Sequence, residues 1–200
     1  MAEKHLAVVV LAAGAGTRMK SAKPKVMHEL AGLPLLGHVL VTAKSLDPMF
    51  VIPVIRHEKE SIGEYINTFH PGSTIVEQDE IPGTGRAVEC ALTALPADFN
   101  GAVVVTSGDV PLLDVLTLEA LLDEHLETGA AASILTAVLD DPTGYGRIVR
   151  HADGRFESIV EHRDANDDQL EILEVNAGVY VFDAAELRRC HRFRVSAYPC

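Results

Sequence analysis

The chain is predicted to be an α/β protein with a mainly parallel sheet and helices on both faces of that sheet. Short segments rich in β-branched residues alternate with segments of helical spacing, and most of the short segments are apolar on both faces. A length of 200 residues suits one domain with a sizeable core. Together these observations predict repeated strand-helix-strand units with right-handed crossovers.

The elements of the first part follow from this alternation in chain order. The strand-like segments are 6–11, 50–55, 73–77, 102–106 and 132–138. The segments with helical spacing are 35–46, 58–68, 84–95 and 115–128. Pro53 conflicts with its strand because it has no N–H to donate, and we expect it to lie at a sheet edge or near a strand end.

The pattern changes after about residue 140. Apolar and polar residues alternate on both sides of Asp153-Gly154, a dipeptide typical of a tight β-hairpin turn. One more long strand is predicted at 174–182. We therefore expect a β-rich second part that packs against the first or extends it. Composition predicts loops at 79–83, 140–146 and 163–169.

Charge and composition exclude several classes of protein. The net charge of −12 and the pI near 5.1 argue against nucleic acid as a partner, because polyanions select basic surfaces. No apolar run approaches the roughly 20 residues that cross a bilayer, so no membrane association is expected. Three cysteines without CxxC spacing and a charged amino terminus without a signal segment predict a cytoplasmic protein.

The stretch VVVLAAGAGTRMKSAKPK at 8–25 carries the first candidate site. A buried strand runs into a loop in which Gly14 and Gly16 would let backbone N–H groups approach an anion, and the carboxyl ends of parallel strands are the usual ligand edge. Arg18 and Lys25 add positive charge beside that loop. The alternative is a glycine-rich turn followed by a solvated basic face. Two familiar phosphate loops do not fit, because Met19 stands where both the dinucleotide fingerprint and the Walker loop require glycine.

Asp109 is the candidate metal ligand. It follows the strand 102–106, so its carboxylate is expected at the ligand edge of the sheet, and Mg²⁺ commonly takes one or two carboxylates together with substrate phosphates. An aspartate after a strand is also a common helix cap or turn former, and Pro111 suits a turn. The residues alone leave the two interpretations open.

Six motifs in register resemble the sugar-nucleotide pyrophosphorylases, and in particular the bacterial N-acetylglucosamine-1-phosphate uridyltransferases that form the amino-terminal half of a bifunctional enzyme. The motifs are LAAGAGTRM at 11–19, VEQDEIPGTGRA at 76–87, VVVTSGDVPLL at 103–113, LDDPTGYGRIVR at 139–150, IVEHRDA at 159–165 and EVNAGVYVF at 174–182. The resemblance covers about 6–187. It implies a Rossmann-like nucleotidyltransferase fold, the substrates UTP and N-acetyl-α-D-glucosamine 1-phosphate, and Mg²⁺.

The resemblance also implies roles for individual residues of the nucleotide part. Arg18 and Lys25 would be catalytic, and Asp109 would hold the metal. The implied nucleotide-binding residues are Leu11, Ala12, Ala13, Gly14, Gln78, Gly83 and Thr84. The sequence departs from the family at Arg86, where histidine is usual, which would place an extra cation near the nucleotide.

Residue chemistry is consistent with the assignment of Gln78 and leaves two interpretations open for Gly83 and Thr84. An amide such as that of Gln78 can donate and accept at once, which suits the mixed edge of a pyrimidine. Gly83 and Thr84 open a helix whose N-terminal N–H groups could bind an anion or a base edge, although they also suit an ordinary helix start.

The second part is expected to bind the sugar. By resemblance Gly146, Glu161 and Asn176 contact N-acetylglucosamine, Gly146 by backbone approach and the other two through polar groups at or near strand ends. Taken singly, Glu161 fits a solvated loop charge equally well.

These motifs predict a nucleotidyltransferase domain at 1–187, with a nucleotide part at about 1–139 and a sugar part at about 140–187. The segment 188–200 matches nothing in the family, and the β-helix acetyltransferase domain, through which full-length members form homotrimers, is expected to be absent. Two other functions remain open. One is transfer to another base or sugar phosphate, and the other is a non-catalytic nucleotide-binding module.

Overall fold

The structure, a computed structural model, describes residues 5–14, 16, 19, 21 and 23–197, with side chains described as far as residue 190. It contains two compact units. The first comprises Met1–Ser133 and Tyr180–Cys200, and the second is Ile134–Val179. Within the described residues, no helix has both the length and the apolar character required to cross a bilayer.

Ten strands and six α-helices make up the described fold. The strands are β1 (Leu6–Ala12), β2 (Glu29–Leu30), β3 (Leu33–Pro34), β4 (Phe50–Ile55), β5 (Val76–Glu77), β6 (Ala102–Ser107), β7 (Ala132–Val138), β8 (Arg147–Arg150), β9 (Phe156–Val160) and β10 (Glu174–Asp183). The helices are α1 (Leu35–Ser45), α2 (Lys59–Phe69), α3 (Thr84–Leu92), α4 (Val115–Thr128), α5 (Asp167–Leu170) and α6 (Ala184–Ala197).

The first unit is built on a mixed, mostly parallel sheet in the order β5-β4-β1-β6-β10. The pairs β5-β4, β4-β1 and β1-β6 are parallel, and the last residues of β10 run antiparallel to β6. Strand β1 therefore lies in the interior, and Leu6 to Val10 are at most 1 % exposed. The predicted α/β class with a mainly parallel sheet is confirmed.

Helices cover both faces of this sheet, and the period of two along each strand decides which residue faces which layer. On one face α3 and the start of α6 pack against β1, β4 and β6 through Val9, Ile52, Ala91, Val105 and Ala184. On the other face α1 contacts β1, α2 contacts β4 and α4 contacts β6. Burial on both sides explains why the strands are apolar on both faces.

Pro53 lies inside β4, which is paired on both sides, and not at a sheet edge or strand end as expected; it is accommodated because its nitrogen faces the short edge strand β5. Pro53 pairs with Val10 of β1, but the carbonyls of Val51 and Ile55 accept hydrogen bonds on the other side, from the N–H groups of Thr74 and Gln78. Alternate residues of a strand direct their backbone groups to the same side, so the missing N–H of Pro53 removes no bond to β1.

The second unit contains the predicted hairpin. Strands β8 and β9 pair antiparallel, and Gly154 at their turn has φ of +84°, a conformation that glycine adopts without strain. Val175 of β10 pairs with Arg147 of β8, and β7 also pairs with β10. Helix α5 begins at a capping box in which the backbone N–H groups of Asn166 and Gln169 each donate to the side-chain oxygen of the other residue.

Two predicted elements are shorter in the structure than expected. The segment 73–77 forms a strand only at Val76–Glu77, because it lies at the sheet edge after the Pro71-Gly72 turn. The helix predicted at 84–95 ends at Leu92, where residues 93–95 close into turns before Pro96.

Candidate active site

The candidate site lies where β1 and β6 end side by side. Leu11 pairs with Ser107, and the N–H of Gly108 donates a 2.8 Å hydrogen bond to the carbonyl oxygen of Leu11. A Cβ on Gly108 would lie 3.2 Å from that oxygen and 3.3 Å from Leu36, so glycine permits the close approach. The loop after β1 and the loop that carries Asp109 are thereby held together.

A cleft of about 410 Å³ opens at these strand ends. It is lined by Leu11, Gly14, Gly16, Met19, Lys25, Val26, Thr84, Ser107 and Asp109. The structure thus brings together six of the sequence-predicted residues, namely Leu11, Gly14, Gly16, Lys25, Thr84 and Asp109. Arg18, the other predicted catalytic residue, lies outside the described residues.

Lys25 and Asp109 form an ion pair inside this cleft. The other carboxylate oxygen of Asp109 accepts a 2.5 Å hydrogen bond from the hydroxyl of Ser107. Burial by itself would raise the pKa of Asp109, but the hydrogen bonds from Lys25 and Ser107 and the charge of Lys25 together outweigh it and lower that pKa. Asp109 is therefore ionised at neutral pH.

Asp109 does not cap the helix that follows it. That role belongs to Asp114, whose carboxylate accepts a 2.8 Å hydrogen bond from the N–H of Thr117 at the start of α4. Asp109 instead lies in the turn after β6 with its carboxylate at the cleft, so a helix-cap role is excluded and the metal role stays a prediction.

Gly16 brings the loop close to Lys25. Its φ of +61° is in the left-handed region, and a Cβ at this position would lie 2.7 Å from the Cβ of Lys25. The carbonyl of Gly16 accepts a 3.0 Å hydrogen bond from the N–H of Met19. Any other residue at this position would force the loop or Lys25 to move.

The side chains of the last two residues of β1 and of Ala13 after it pack against the protein. Ala12 is 2 % exposed, and Leu11 and Ala13 pack against the apolar cluster under α3. A ligand could reach these residues mainly through their backbone groups. By contrast, a Cβ on Gly14 would meet no atom of the described residues within 4 Å.

Gln78 is buried and shapes the loop 79–83. Its side-chain amide donates hydrogen bonds of 2.8 Å to the carbonyl of Ile81 and 3.1 Å to the carbonyl of Gly83. Both amide hydrogens are therefore used within the loop. The contact of Gln78 with a base stays a prediction, and its evident role is to hold Gly83.

Gly83 and Thr84 begin α3 beside the cleft. Gly83 has φ of +117°, which favours glycine. Among the described residues no side chain caps the first N–H groups of α3, and Thr84 lines the cleft at this position. Such a helix start can bind an anion.

The charge of Arg86 is compensated within the structure. Its guanidinium forms ion pairs with Asp79 and with Glu89, the latter at 2.9 Å, and Arg86 lowers the pKa of Asp79. The expected extra cation near the nucleotide is thus part of a network that fastens the loop 79–83 to α3.

The predicted sugar residues lie together in the second unit. The N–H of Asn176 donates a 2.9 Å hydrogen bond to the carbonyl of Gly146. A Cβ on Gly146 would lie 3.0 Å from Ile159 and 3.5 Å from a carboxylate oxygen of Glu161. The side-chain oxygen of Asn176 also accepts from the N–H of Gly178 at 2.9 Å.

A divalent cation fits the donors of the cleft. Mg²⁺ prefers hard oxygen ligands and usually retains water and substrate phosphates, so one ionised carboxylate such as Asp109 is an adequate protein ligand. Within the described ranges, no group of three or more His, Cys, Asp or Glu side chains could form a cage around a metal. The donors fit a metal shared with a ligand.

Two features of the site were missed in the sequence. Ser107 sits two residues before Asp109 and holds its carboxylate, and the signal available for it was a polar residue at the end of an apolar strand. The pairing of Asp79 with Arg86 had no local signal, since the two residues belong to a loop and a helix.

Comparison with known proteins identifies the family. Residues 8–168 match the model of the MobA-like NTP transferase domain. The chain belongs to this family. It is accordingly a nucleotidyltransferase domain.

Two curated relatives are more than half identical to this NTP transferase domain over the aligned residues. It is 58 % identical over 184 residues to the bifunctional protein GlmU of Clavibacter sepedonicus, covering 92 % of the chain and 37 % of the relative. It is 55 % identical over 188 residues to that of Leifsonia xyli subsp. xyli, covering 94 % of the chain and 39 % of the relative. The chain thus spans less than half the length of these relatives.

Solved structures share the fold of this NTP transferase domain at low identity. HddC from Yersinia pseudotuberculosis, complexed with GMP-PN, superposes with a TM-score of 0.69 at 24 % identity over 90 % of this chain and 77 % of that one. The 4-diphosphocytidyl-2C-methyl-D-erythritol synthase from Anaerococcus prevotii has a TM-score of 0.67 at 17 % identity, over 99 % of this chain and 80 % of that one. The Rossmann-like nucleotidyltransferase fold is confirmed.

Proposed function

We propose that the chain transfers a uridylyl group from UTP to N-acetyl-α-D-glucosamine 1-phosphate, giving UDP-N-acetylglucosamine and pyrophosphate. The observation that carries the proposal is the cleft in which the Lys25-Asp109 ion pair lies beside the uncapped start of α3. Such a cleft provides a cation, backbone N–H groups and an ionised carboxylate for a triphosphate. The motifs shared with the N-acetylglucosamine-1-phosphate uridyltransferases support the choice of substrates.

The reaction needs no protein nucleophile. A phosphate oxygen of the sugar phosphate attacks the α-phosphorus of UTP and forms a new P–O bond. The bond between the α-phosphorus and the oxygen that bridges the α- and β-phosphates breaks, and its electron pair leaves with pyrophosphate. Catalysis then depends on positioning and on neutralisation of phosphate charge.

Residues of the first unit would hold the nucleotide. Lys25 would neutralise phosphate oxygens, and the first N–H groups of α3 would bind a phosphate or a base edge. The network of Gln78, Asp79 and Arg86 would keep Gly83 in position. Arg18 is proposed as a second cation from the sequence alone.

Asp109 would hold the divalent cation that such phosphate chemistry requires. Mg²⁺ bound there would supply Lewis-acid neutralisation of phosphate charge. The carboxylate is suited to this because its pKa is lowered, so it is ionised without first losing a proton.

Residues of the second unit would hold the sugar. The carboxylate of Glu161 would accept hydrogen bonds from hydroxyl or amide groups, Asn176 would supply polar groups, and Gly146 would allow close approach of the backbone.

The free thiols of Cys90 and Cys190 accord with a reducing cytoplasm as the place of this reaction.

The deciding experiment measures pyrophosphate release from UTP, N-acetylglucosamine 1-phosphate and Mg²⁺, with Asp109→Asn as the matched variant that is expected to lose turnover. Parallel reactions replace UTP with CTP, GTP or dTTP, and the N-acetyl sugar with glucose 1-phosphate. Turnover that requires UTP and the N-acetyl sugar supports the proposal. Preference for another pair would identify a different nucleotidyltransferase, and binding of UTP without any turnover would identify a nucleotide-binding module.

A further inference from the structure

Arg147 is a buried cation in the second unit. It follows Gly146, is only 2 % exposed, and is among the largest fully buried side chains of the described residues. Burying a charged group is unfavourable unless hydrogen bonds and nearby opposite charge compensate it. The hydrogen bonds of its guanidinium therefore indicate the structural role of this residue.

One end of the guanidinium closes the turn before Gly146. The two hydrogens of Nη1 are donated to the carbonyl of Pro142 at 2.7 Å and to the carbonyl of Tyr145 at 2.6 Å. The carbonyl of Pro142 also accepts a 3.1 Å hydrogen bond from the N–H of Tyr145. Arg147 thus fixes both ends of the segment 142–145.

The other end reaches the segment that carries Glu161. Nη2 donates a long hydrogen bond of 3.4 Å to Nδ1 of His162, which must accept because an arginine has only donors. His162 follows Glu161 and begins the short 3-10 turn His162–Asp164. A single planar group therefore contacts both segments, and a lysine ammonium could not span them in the same fixed geometry.

Both segments carry proposed sugar contacts. A Cβ added to Gly146 would lie 3.5 Å from a carboxylate oxygen of Glu161. The carbonyl of Gly146 accepts a hydrogen bond from the N–H of Asn176. A shift of either segment would change the distances among these three residues. The guanidinium itself is out of a ligand's reach, since Arg147 is buried and its Nε has neither exposure nor a hydrogen-bond partner among the described residues.

We infer that Arg147 is a positioning residue that sets the spacing of Gly146 and Glu161 for the sugar phosphate. The inference rests on the proposed function, because it assigns the sugar site to these residues. It requires that loss of the forked contacts weakens sugar binding and leaves nucleotide binding unchanged.

The test compares Arg147→Met and Arg147→Lys with Arg150→Met, a control in the same strand whose arginine is exposed and pairs with Glu174. Calorimetry gives the Kd of each variant for N-acetylglucosamine 1-phosphate and, separately, for UTP with Mg²⁺. Both Arg147 variants should bind the sugar phosphate roughly tenfold or more weakly, because small misplacement of binding groups is costly, and should bind UTP as the wild type does. Arg150→Met should change neither constant.

A ligand-independent arm uses hydrogen exchange of the backbone amides of Tyr145, Asp164 and Asn176, which form the hydrogen bonds of these segments. Exchange should become faster at all three positions in the Arg147 variants and stay unchanged in Arg150→Met. If the wild type binds no sugar phosphate, the proposed function is overturned, and the exchange data alone decide whether Arg147 positions the segments. Should Arg147→Met fail to fold, Arg147→Lys provides both measurements.

The inference is overturned if folded Arg147 variants bind the sugar phosphate as tightly as the wild type. It is equally overturned if exchange at the three amides is unchanged. A loss of stability accompanied by wild-type affinities would show that the buried arginine serves folding only.

Discussion

The ammonium group of Lys25 lies against the carboxylate of Asp109, so each charge neutralises the other in the nucleotide-free protein. The side chains are 38 % and 19 % exposed respectively, so solvent screens the pair only in part. A divalent cation that binds Asp109 must therefore compete with Lys25. A triphosphate offers Lys25 another partner, which would make metal and nucleotide binding mutually favourable.

Removing this competition should strengthen binding of the metal alone. Lys25→Met is expected to bind Mn²⁺ more tightly than the wild type in the absence of nucleotide, as measured by electron paramagnetic resonance. The same variant should lose roughly 10²- to 10³-fold in kcat/KM, because a preorganised cation on the phosphates is missing. Lys59→Met is the control, since Lys59 pairs with Glu77 on the surface. Weaker Mn²⁺ binding in Lys25→Met would contradict the competition.

Asp109→Asn should keep the shape of the site and lose its charge. Turnover is expected to fall steeply, and raising the Mg²⁺ concentration should recover little of it, since the amide is a poor ligand for a hard cation. Asp114→Asn serves as the control, because this carboxylate caps α4. Near wild-type rates with Asp109→Asn, or activity in excess chelator, would rule out the metal assignment.

Gln78→Ala should affect the nucleotide through the loop 79–83. The carbonyls of Ile81 and Gly83 would lose their donors, which should lower the free energy of unfolding by about 1–3 kcal/mol and raise the KM for UTP more than it lowers kcat. Denaturant unfolding and initial rates measure the two effects. The exposed Glu80 of the same loop provides the control Glu80→Ala. An unchanged KM in a folded Gln78→Ala protein would remove the positioning role.

Glu161→Ala should separate the sugar from the nucleotide. A hydrogen bond to a sugar hydroxyl is worth roughly 0.5–3 kcal/mol, so the Kd for N-acetylglucosamine 1-phosphate should rise while that for UTP stays nearly constant. Calorimetry on the two ligands measures this, with the exposed Glu171→Ala as the control. If UTP binding is damaged first, or glucose 1-phosphate reacts as well as the N-acetyl sugar, the sugar assignment is wrong.

The pair of Arg150 and Glu174 predicts a pH dependence of stability. The two hydrogen bonds from Arg150 are the main cause of a lowered pKa of Glu174. A lowered folded-state pKa stabilises the protein above the unfolded value, about 4.3 for glutamate, and this contribution is lost as the pH falls through the folded-state pKa. Unfolding curves of the wild type and Glu174→Gln should therefore differ most near neutral pH and converge in acid. A constant difference across this range would exclude the linkage.

The backbone architecture could be predicted from the sequence because it depends on local patterns. Runs such as residues 6–11 are apolar on both faces, which only a strand between two helical layers can bury. The Asp153-Gly154 turn required one residue with positive φ, and glycine supplies it. Leu118 and Leu122 share a helical stripe, and both are buried in α4.

The location of the site could also be predicted, because ligands bind beyond the carboxyl ends of parallel strands. Gly14 and Asp109 follow such strands in the sequence, and the structure places both at one cleft. The sequence places each residue just after its own strand, but the two meet at one cleft only because β1 pairs with β6, which is a tertiary contact.

The sequence by itself determined the main strands, helices α1 to α4, the hairpin and the edge at which the candidate site lies, since each follows from local periodicity or turn chemistry; it did not predict β2, β3, α5 or α6, and α5 lies partly in the segment 163–169 that was predicted as a loop. Only the tertiary structure decided the partners of the polar side chains. Lys25 neutralises Asp109, Arg86 binds Asp79, and Arg147 is buried between two loops. The physical reason is that periodicity specifies which face of an element is buried, whereas an ion pair depends on how elements distant in the chain pack together.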